Sequence, residues 1–369
     1  MLSGFKKILG HTYSPLNVIE LSSKNLLSNY KYLSSLNPKI KVVPVLKSSA
    51  YGHGIREIGK ILDQVGAPFF CVDSIYEGYE LLKAGVKTPI LIMGYIDPEN
   101  LKVKRLPFSY AVYSREFTLK VNKYQPGAKI HIFVDTGMRR EGIEVSDLED
   151  FISFIKDKTT LKIDGLMSHF AMAEKPNNTQ TKNQVKNFNH AKEVIERIGV
   201  PVRYFHFGAS SGLLNNKKLG QIGNVARVGI ATYGIGSSKL KPVLRLATKI
   251  IQVKTLEKGK SIGYDFIFTA NKKMTVGILP IGYYDGVDRR LSNLGFVRIG
   301  KKYCRILGRV SMNITAIDLS SIPHPKVGQE AEVFGREGKN SILESAKICK
   351  TIPYELLIHL ASSTKRVVS

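Results

Sequence analysis

One lysine follows an apolar run early in the chain, in the segment KVVPVLKSSAYGHG, residues 41–54. The run 42–46 is rich in β-branched residues and bounded by small ones, which predicts a buried parallel strand. Lys47 therefore lies where that strand leaves the core. A desolvated lysine amine is a nucleophile that forms a Schiff base with an aldehyde cofactor. A lysine that merely extends its ammonium to solvent at a strand end is the alternative for this segment taken alone.

Ionisable side chains lie within, close or follow several other apolar runs. Arg140 lies in DTGMRREGI, His169 closes GLMSH, and Arg227 lies in ARVGIATYG. A guanidinium fork binds a carboxylate through two hydrogen bonds, and an imidazole can carry a proton near neutral pH. The structural alternatives are a satisfied core histidine and an arginine that forms an interface ion pair.

Repeated strand–helix units must position these side chains. Eight short apolar runs occur in series, many of them followed by an amphipathic stretch: VVPVL, FFCVD, PILIMG, SYAVY, KIHIFVD, IDGLMSHF, VRYFHFG and NVARVGI. This repetition predicts an eight-stranded β/α barrel from about residue 39 to 236, preceded by a helix in SSKNLLSNYKYLSSL. Barrel enzymes carry their reacting groups at the carboxyl ends of the strands.

The pattern changes after residue 236. Short alternating strands without long helices between them follow: LRLATKIIQVKTL, MTVGILPI, FVRIG, YCRILGRVSMNITAIDL and EAEVFG. They predict a mostly antiparallel β-domain. The sequence is therefore divided into an α/β barrel domain, residues 1–236, and a C-terminal β-domain, residues 237–369.

Composition limits the class of protein. The chain of 369 residues has a net charge of +25, but its basic residues occur as scattered pairs, which favours a lysine-rich solvated surface over a nucleic-acid site. Its apolar stretches are shorter than a membrane span, and the first 15 residues lack the features of a secretory signal. Three scattered cysteines, Cys71, Cys304 and Cys349, indicate small buried residues in a reducing compartment and no metal site.

The segment around Lys47 resembles the pyridoxal-phosphate lysine motif of alanine racemases, which are fold type III enzymes. The resemblance continues through NVIELSSKNLLSN, DTGMRREGI, GLMSHFAMAE, ARVGIATYGIG, SIGYDFIFTA, LPIGYYDGVDRRLSN, GRVSMN and IPYEL, in the order of that family. It implies the same barrel and β-domain, with residues 1–22 adding a strand to the β-domain.

The resemblance also implies how pyridoxal 5'-phosphate is held. Lys47 would carry the cofactor and act as the base on the D-specific side of the substrate. His169 would lie against the cofactor ring, and Arg227 would bind its pyridine nitrogen. The phosphate would be bound by Tyr51, Ser210, Gly229 and Ile230. Ser210 lies in a Gly-Ser turn at 208–212, and such turns are common, so the turn alone is weak evidence for a phosphate site.

A second proton carrier is needed on the other face of the substrate, because a single base could not invert the centre efficiently. The resemblance assigns this role to Tyr264, contributed by a second subunit, so a head-to-tail homodimer with composite sites is expected. A tyrosine titrates near ~10 and needs a cationic or hydrogen-bonding neighbourhood to act as a base at neutral pH. Arg140, Tyr283 and the backbone of Met312 would contact the substrate.

Several positions depart from the family pattern. Phe133 replaces a modified lysine that steadies the arginine corresponding to Arg140. Ala209 and Asn313 replace an asparagine and an aspartate, and Tyr284 replaces an alanine. Ser362 falls where some members have a phosphate-binding tyrosine. These departures bear on affinity and substrate range.

The expected activity is a two-base racemisation of L- and D-alanine that supplies D-alanine for peptidoglycan synthesis in a bacterial cytoplasm. Strict alanine specificity and a wider range that includes serine both stay open. The alternatives are a decarboxylase of the same barrel fold, a non-catalytic pyridoxal-phosphate protein built on the barrel alone, and a basic nucleic-acid-binding module. No specific nucleic-acid or membrane partner is expected.

Overall fold

The chain folds into two compact units in the computed structural model, which describes residues 14–215 and 219–369. Ser23–Val243 form one unit, the barrel unit, and the described residues up to Ser22 together with Leu244–Ser369 form the other, the β unit. The expectation about a secretory signal concerns a segment that lies mostly outside the described residues. Each helix in residues 14–215 and 219–369 is too short or too polar to span a bilayer.

The strands follow in chain order. They are β1 (Val18–Leu21), β2 (Lys41–Pro44), β3 (Phe70–Val72), β4 (Ile90–Ile92), β5 (Phe108–Val112), β6 (Lys129–Asp135), β7 (Ile143–Glu144), β8 (Lys162–Met167), β9 (Tyr204–Gly208), β10 (Val225–Val228), β11 (Leu244–Lys249), β12 (Gln252–Leu256), β13 (Met274–Leu279), β14 (Phe296–Ile299), β15 (Lys302–Leu307), β16 (Thr315–Asp318), β17 (Glu330–Phe334) and β18 (Lys365–Val368).

The right-handed α-helices are fewer and lie mostly in the barrel unit. They are α1 (Ser23–Ser35), α2 (Ile55–Leu62), α3 (Ile75–Lys83), α4 (Arg115–Tyr124), α5 (Leu148–Lys158), α6 (Thr179–Ile198), α7 (Ser210–Asn215), α8 (Leu219–Ile222), α9 (Ile342–Ile348) and α10 (Pro353–Ile358). Serine or asparagine side chains accept the first free amides of several of them, as at Ser74, Ser114, Asn178 and Ser341.

The barrel unit contains the predicted barrel. Its parallel strands follow the order β2-β10-β9-β8-β6-β5-β4-β3, and all eight predicted runs supply a strand. The ends of this sheet meet at a parallel bridge between Val45 and Cys71, where the Leu46 amide donates to the Cys71 carbonyl at 2.8 Å. The barrel interior is filled by buried side chains from successive strands, among them Val43, Leu91, Ala111, Phe133 and Met167.

The β unit contains the predicted mostly antiparallel sheet. Its strands follow the order β12-β13-β16-β15-β14-β17-β11-β1-β18, and β1 lies between β11, its antiparallel neighbour, and β18, its parallel neighbour. Two of the predicted runs each form two strands in the structure. LRLATKIIQVKTL is interrupted at Ile250–Ile251, and YCRILGRVSMNITAIDL is interrupted after Leu307. Gly308 turns the second of them with a φ of 69°. All three cysteines are free and buried.

A buried carboxylate ties three strands of the β unit together. Glu332 on β17 is 4% exposed, and its oxygens accept Arg245 Nε from β11 at 2.6 Å and Arg298 Nε from β14 at 2.8 Å. Burial opposes ionisation of Glu332, but the hydrogen bonds from Arg298, Arg245 and Asn340 outweigh it and hold its pKa below the usual value. The charged carboxylate therefore stabilises the folded sheet.

Glu332→Gln should lower the free energy of unfolding by about 2 to 4 kcal/mol at pH 7, because it leaves two guanidinium groups without their buried anion. A lowered pKa stabilises the fold above the pKa of the unfolded carboxyl, ~4.3, and this stabilisation is lost as pH falls through the lower folded value. The difference from the wild type in urea unfolding should therefore shrink toward pH 3.

Glu330→Gln is the matched control, because Glu330 lies on the same strand and also pairs with Arg245 but has a side chain that is 58% exposed. An exposed ion pair contributes about 0 to 1 kcal/mol. Equal losses for the two variants would contradict the stabilising role of the buried carboxylate.

Candidate active site

Lys47 is followed by a short left-handed turn. Ser48, Ser49, Ala50 and Tyr51 have φ values of 53° to 54°, and Gly52 ends the turn with φ of 77°. Side chains disfavour this region by roughly 1 to 2 kcal/mol per residue, so consecutive residues adopt it only where surrounding contacts hold them. The backbone is thus strained next to the lysine.

Glu77 supplies the contacts that hold this turn. Its Oε1 accepts the amide of Ser48 at 2.5 Å and of Ser49 at 3.4 Å, while Oε2 accepts the amides of Asp73 at 2.9 Å and Ser74 at 3.2 Å. One buried carboxylate at the start of α3 therefore joins the turn after β2 to the end of β3. Sequence reasoning missed Glu77, although Ser74-x-x-Glu77 is a capping-box signal.

The Lys47 amine remains accessible at this end of the barrel. Its Nζ lies 3.8 Å from Asp73 Oδ1, and the side chain is 40% exposed. A pair of this length and exposure adds little stability. The amine is therefore free to leave Asp73 and react with a carbonyl group.

Four of the predicted phosphate-binding residues converge on one small region. Ser210 Oγ accepts the amides of Gly229 at 3.2 Å and Ala231 at 3.3 Å. A Cβ built on Gly229 would lie 2.1 Å from Tyr51 Oη, so the tyrosine hydroxyl approaches this backbone as only glycine allows. The Ile230 amide has no acceptor among the described residues. Hydroxyl and amide groups thus form a cup suited to an anion.

The Arg227 guanidinium is buried within the barrel, where the residue is 5% exposed. Its Nη1 donates to the His206 carbonyl at 2.6 Å and contacts His206 Nδ1 at 3.0 Å. Its Nη2 donates to the Ser168 carbonyl at 2.5 Å and contacts His169 Nδ1 at 3.2 Å. These contacts use all four N–H groups on the two terminal nitrogens. The Nε–H is left without an acceptor in the described part of the chain.

Electrostatics keep the neighbours of Arg227 neutral. Burial, followed by the charges of Arg227, Arg140 and Lys47, lowers the pKa of His169 to about 3. Burial lowers the pKa of Arg227 itself to about 10, which still leaves it protonated at neutral pH. A neutral His169 that accepts a hydrogen bond at Nδ1 carries its proton on Nε2.

Gln184 on α6 fixes the chain around His169. Its Nε2 donates to the His169 carbonyl at 2.9 Å, and its Oε1 accepts the Ala171 amide at 3.0 Å. The side chain is buried, so both ends of the amide are used where water does not compete. Gln184 was not identified from sequence, because a glutamine inside an amphipathic helix carries no distinctive signal.

Arg140 lies in the loop after β6 with a side chain that is 52% exposed, and its Nη2 is 3.1 Å from Glu141 Oε1. Its charge contributes to the lowered pKa values of His169 and Arg227, so it shares their electrostatic environment. Phe133, at the position of the expected modified lysine, is buried in the barrel core and packs edge-on against Tyr113. Arg140 pairs instead with the carboxylate beside it.

The remaining predicted residues lie together in the β unit. Tyr264, Tyr283 and Met312 are exposed, by 69% in the case of Tyr264. Asp265 Oδ2 accepts Arg309 Nε at 2.9 Å, and the Tyr283 amide donates to the Ser311 carbonyl at 3.0 Å. These bonds join three loops, residues 264–266, 283–285 and 309–313, into one cluster, which we call the tyrosine loops. Asn313 lies in the third of them. The structure thus brings the predicted residues together as two groups, one in each unit.

Comparisons with known proteins match both parts of the chain to one family. A family model described as "Alanine racemase, N-terminal domain" matches residues 21–237, and one described as "Alanine racemase, C-terminal domain" matches residues 243–368. The alanine racemase of Halothermothrix orenii is 32% identical over 348 residues, 90% of each chain. That of Carboxydothermus hydrogenoformans is 31% identical over 365 residues, 94% of this chain and 98% of the relative.

Solved structures show the same likeness. An alanine racemase structure from Clostridium difficile 630 has a TM-score of 0.91, with 28% identity and 97% of each chain covered. A Bacillus anthracis alanine racemase with bound L-Ala-P has a TM-score of 0.88, with 27% identity over 97% of this chain and 96% of the other.

Gly229→Ala should weaken binding of pyridoxal phosphate to the apoprotein by about tenfold or more, because the added methyl group occupies the position of Tyr51 Oη. Fluorescence titration of the apoprotein measures this effect. Gly212→Ala is the control, since a Cβ there would meet its nearest atom, Phe170 Cδ2, at an ordinary 3.6 Å. If both variants bind the cofactor as the wild type does, the cup is not its phosphate site.

Proposed function

This chain belongs to the alanine racemase family, whose members depend on pyridoxal phosphate, and we propose that it interconverts L- and D-alanine with Lys47 and Tyr264 as opposed proton carriers. The observation that carries the proposal is the free Nε–H of buried Arg227. It lies in a barrel that also presents an accessible lysine amine and an anion cup.

The residues of the barrel fit the cofactor. The cup of Tyr51, Ser210, Gly229 and Ile230 offers hydroxyl and amide groups for a phosphate, and the Arg227 Nε–H offers a donor for a pyridine nitrogen. Lys47 offers the amine for the aldehyde. When bound, pyridoxal phosphate supplies a conjugated electron-withdrawing ring that makes the α-proton of an amino acid acidic.

Lys47 and Tyr264 divide the proton transfers between them. We assign the Lys47 amine to remove or return the α-proton on the D-specific side and the Tyr264 hydroxyl to do so on the opposite side. Inversion follows when one group takes the proton and the other gives one back. A phenol is a poor base at neutral pH, so Tyr264 needs a hydrogen-bond donor next to its oxygen.

His169 is suited to be that donor. Because its Nδ1 faces Arg227, its proton is on Nε2, which can donate to a phenolate oxygen. The lowered pKa of His169 keeps the imidazole neutral. A neutral imidazole donates a hydrogen bond to the phenolate, whereas an imidazolium would protonate it. The protonated guanidinium behind His169 stabilises the negative charge.

Arg227 limits the reaction to racemisation. An arginine whose pKa is about 10 donates a hydrogen bond to a pyridine nitrogen but does not transfer its proton. By keeping its proton, Arg227 would leave a bound pyridine unprotonated and less electron-withdrawing than a pyridinium, which disfavours transamination. Arg140 is assigned to the substrate carboxylate, with Tyr283 and the Met312 backbone as further substrate contacts.

Tyr264 is assigned to the site of a second subunit. It is 69% exposed and shares the tyrosine loops with Phe266, Tyr284 and Met312, which are also more than half exposed. Exposed aromatic and apolar groups held on ordered loops are typical of interfaces. A symmetric homodimer would give two composite sites, each with Lys47 from one subunit and Tyr264 from the other.

The proposed product, D-alanine, leads to a proposal about the cellular role of the enzyme. We propose that D-alanine from this enzyme supplies peptidoglycan precursors and that the reaction takes place in the cytoplasm. No specific nucleic-acid or membrane partner is part of the proposal, and the net charge of +25 is assigned to a solvated surface.

Mixing two inactive variants tests both the roles and the subunit arrangement. Lys47→Ala and Tyr264→Phe should each lose nearly all racemase activity. After unfolding and refolding together, they should regain about a quarter of the wild-type activity, because half of the dimers are mixed and each mixed dimer has one intact site. Alanine racemisation followed by circular dichroism measures the recovery.

Solvent deuterium incorporation separates the two roles. Tyr264→Phe should slow exchange of the α-proton chiefly from L-alanine, whereas Tyr76→Phe, a change at a tyrosine 67% exposed on α3, should leave exchange unchanged. No recovery on mixing would reject the composite site, and unimpaired exchange in both inactive variants would reject the assignment of the proton carriers.

A further inference from the structure

His131 is a buried histidine that none of the cofactor or substrate assignments uses. It lies on β6, is 1% exposed, and its Nδ1 is 2.7 Å from His206 Nε2. His206 in turn meets Arg227 Nη1 through Nδ1 at 3.0 Å. The three side chains therefore form a continuous row from the barrel core to the guanidinium.

The surrounding strands are shaped around this imidazole. A Cβ built on Gly165 of β8 would lie 2.2 Å from His131 Nδ1, so only glycine leaves room for the ring. The register of β6 against β8 also shifts between Ile130 and His131. Phe69 packs edge-on against the ring at 5.3 Å, and Tyr204 lies parallel to it at 6.1 Å. A glycine, a register shift and two aromatic contacts all make room for this ring, so we look for a role of the imidazole beyond filling space.

Hydrogen-bond donors and acceptors fix the protons along the row. His206 Nδ1 can accept from Arg227 only when the His206 proton is on Nε2. That N–H is fully buried and needs an acceptor, which His131 Nδ1 provides. Burial lowers the pKa of His131 to about 3 and that of His206 well below its usual value, so both rings are neutral acceptors at working pH.

We propose that His131 is a positioning residue that fixes the tautomer of His206, and thereby the orientation in which Arg227 presents its Nε–H to the pyridine nitrogen of the cofactor. Without an acceptor at His131, the buried Nε2–H of His206 has no partner, so the tautomer with the proton on Nδ1, which meets the N–H of Arg227 donor to donor, gains population. The guanidinium then turns away from its present acceptors. This inference rests on the proposed role of Arg227.

Binding of pyridoxal phosphate and of its 1-deaza analogue, which has a carbon in place of the pyridine nitrogen, isolates this effect. His131→Leu removes the acceptor, whereas His131→Asn is smaller than histidine but can place its amide oxygen near the Nδ1 position. The preference of the apoprotein for pyridoxal phosphate over the analogue should fall about tenfold in His131→Leu, equivalent to roughly 1.4 kcal/mol, and be largely retained in His131→Asn. A merely structural role would weaken both ligands equally and leave the ratio unchanged.

The outcomes separate the two levels of the proposal. A wild-type protein that binds both ligands equally would refute the role of Arg227. A wild-type preference that survives in folded His131→Leu, or that falls equally in both variants, would refute the role of His131. Thermal unfolding of each apoprotein shows that the comparison is made on folded chains.

A measurement on the unaltered chain keeps the inference testable should His131→Leu fail to fold. Nitrogen-15 chemical shifts of the histidine rings in the protein loaded with pyridoxal phosphate report which nitrogen carries each proton. Protonated Nε2 and bare Nδ1 on both His206 and His131 are expected. A proton on Nδ1 of either ring would overturn the proposal.

Discussion

Burial of one guanidinium is the constraint on which the barrel site depends. Arg227 is removed from water, at a cost in solvation that only good hydrogen bonds to its N–H groups offset. The carbonyls of Ser168 and His206 and the rings of His169 and His206 supply them. Because these partners must accept rather than donate, the imidazoles around Arg227 must be neutral. The lowered pKa values of His169 and His206 satisfy this requirement.

The same arrangement explains how the two units contribute differently. The barrel supplies groups whose positions are over-determined: the left-handed turn after Lys47 held by Glu77, the cup closed by Ser210, and the His169 backbone held by Gln184. The β unit supplies an exposed phenol on loops joined by the Asp265–Arg309 pair. In the proposed composite site, the rigid barrel groups would hold the cofactor and the exposed phenol would serve as the second acid/base.

Much of this organisation follows from the sequence. Apolar runs that alternate with amphipathic stretches predicted every barrel strand. His169 was singled out because it closes a run, and Arg227 because of the family resemblance; the structure places the two side chains 3.2 Å apart. The division of YCRILGRVSMNITAIDL was missed, although Gly308 with its positive φ is a turn signal within the run. Helix α9 was also missed despite the capping signal Ser341-x-x-Glu344. His131 and Glu77 could not be recognised, since their importance lies in contacts between distant segments.

The state of the bound pyridine nitrogen tests the central role of Arg227 most directly. Pyridoxal phosphate labelled with nitrogen-15 in its ring can be bound to the chain and its chemical shift measured at neutral pH. An arginine that keeps its proton predicts the shift of an unprotonated, hydrogen-bonded pyridine. The shift of a pyridinium would contradict it, because the ring would then have received a proton that Arg227 is built to retain.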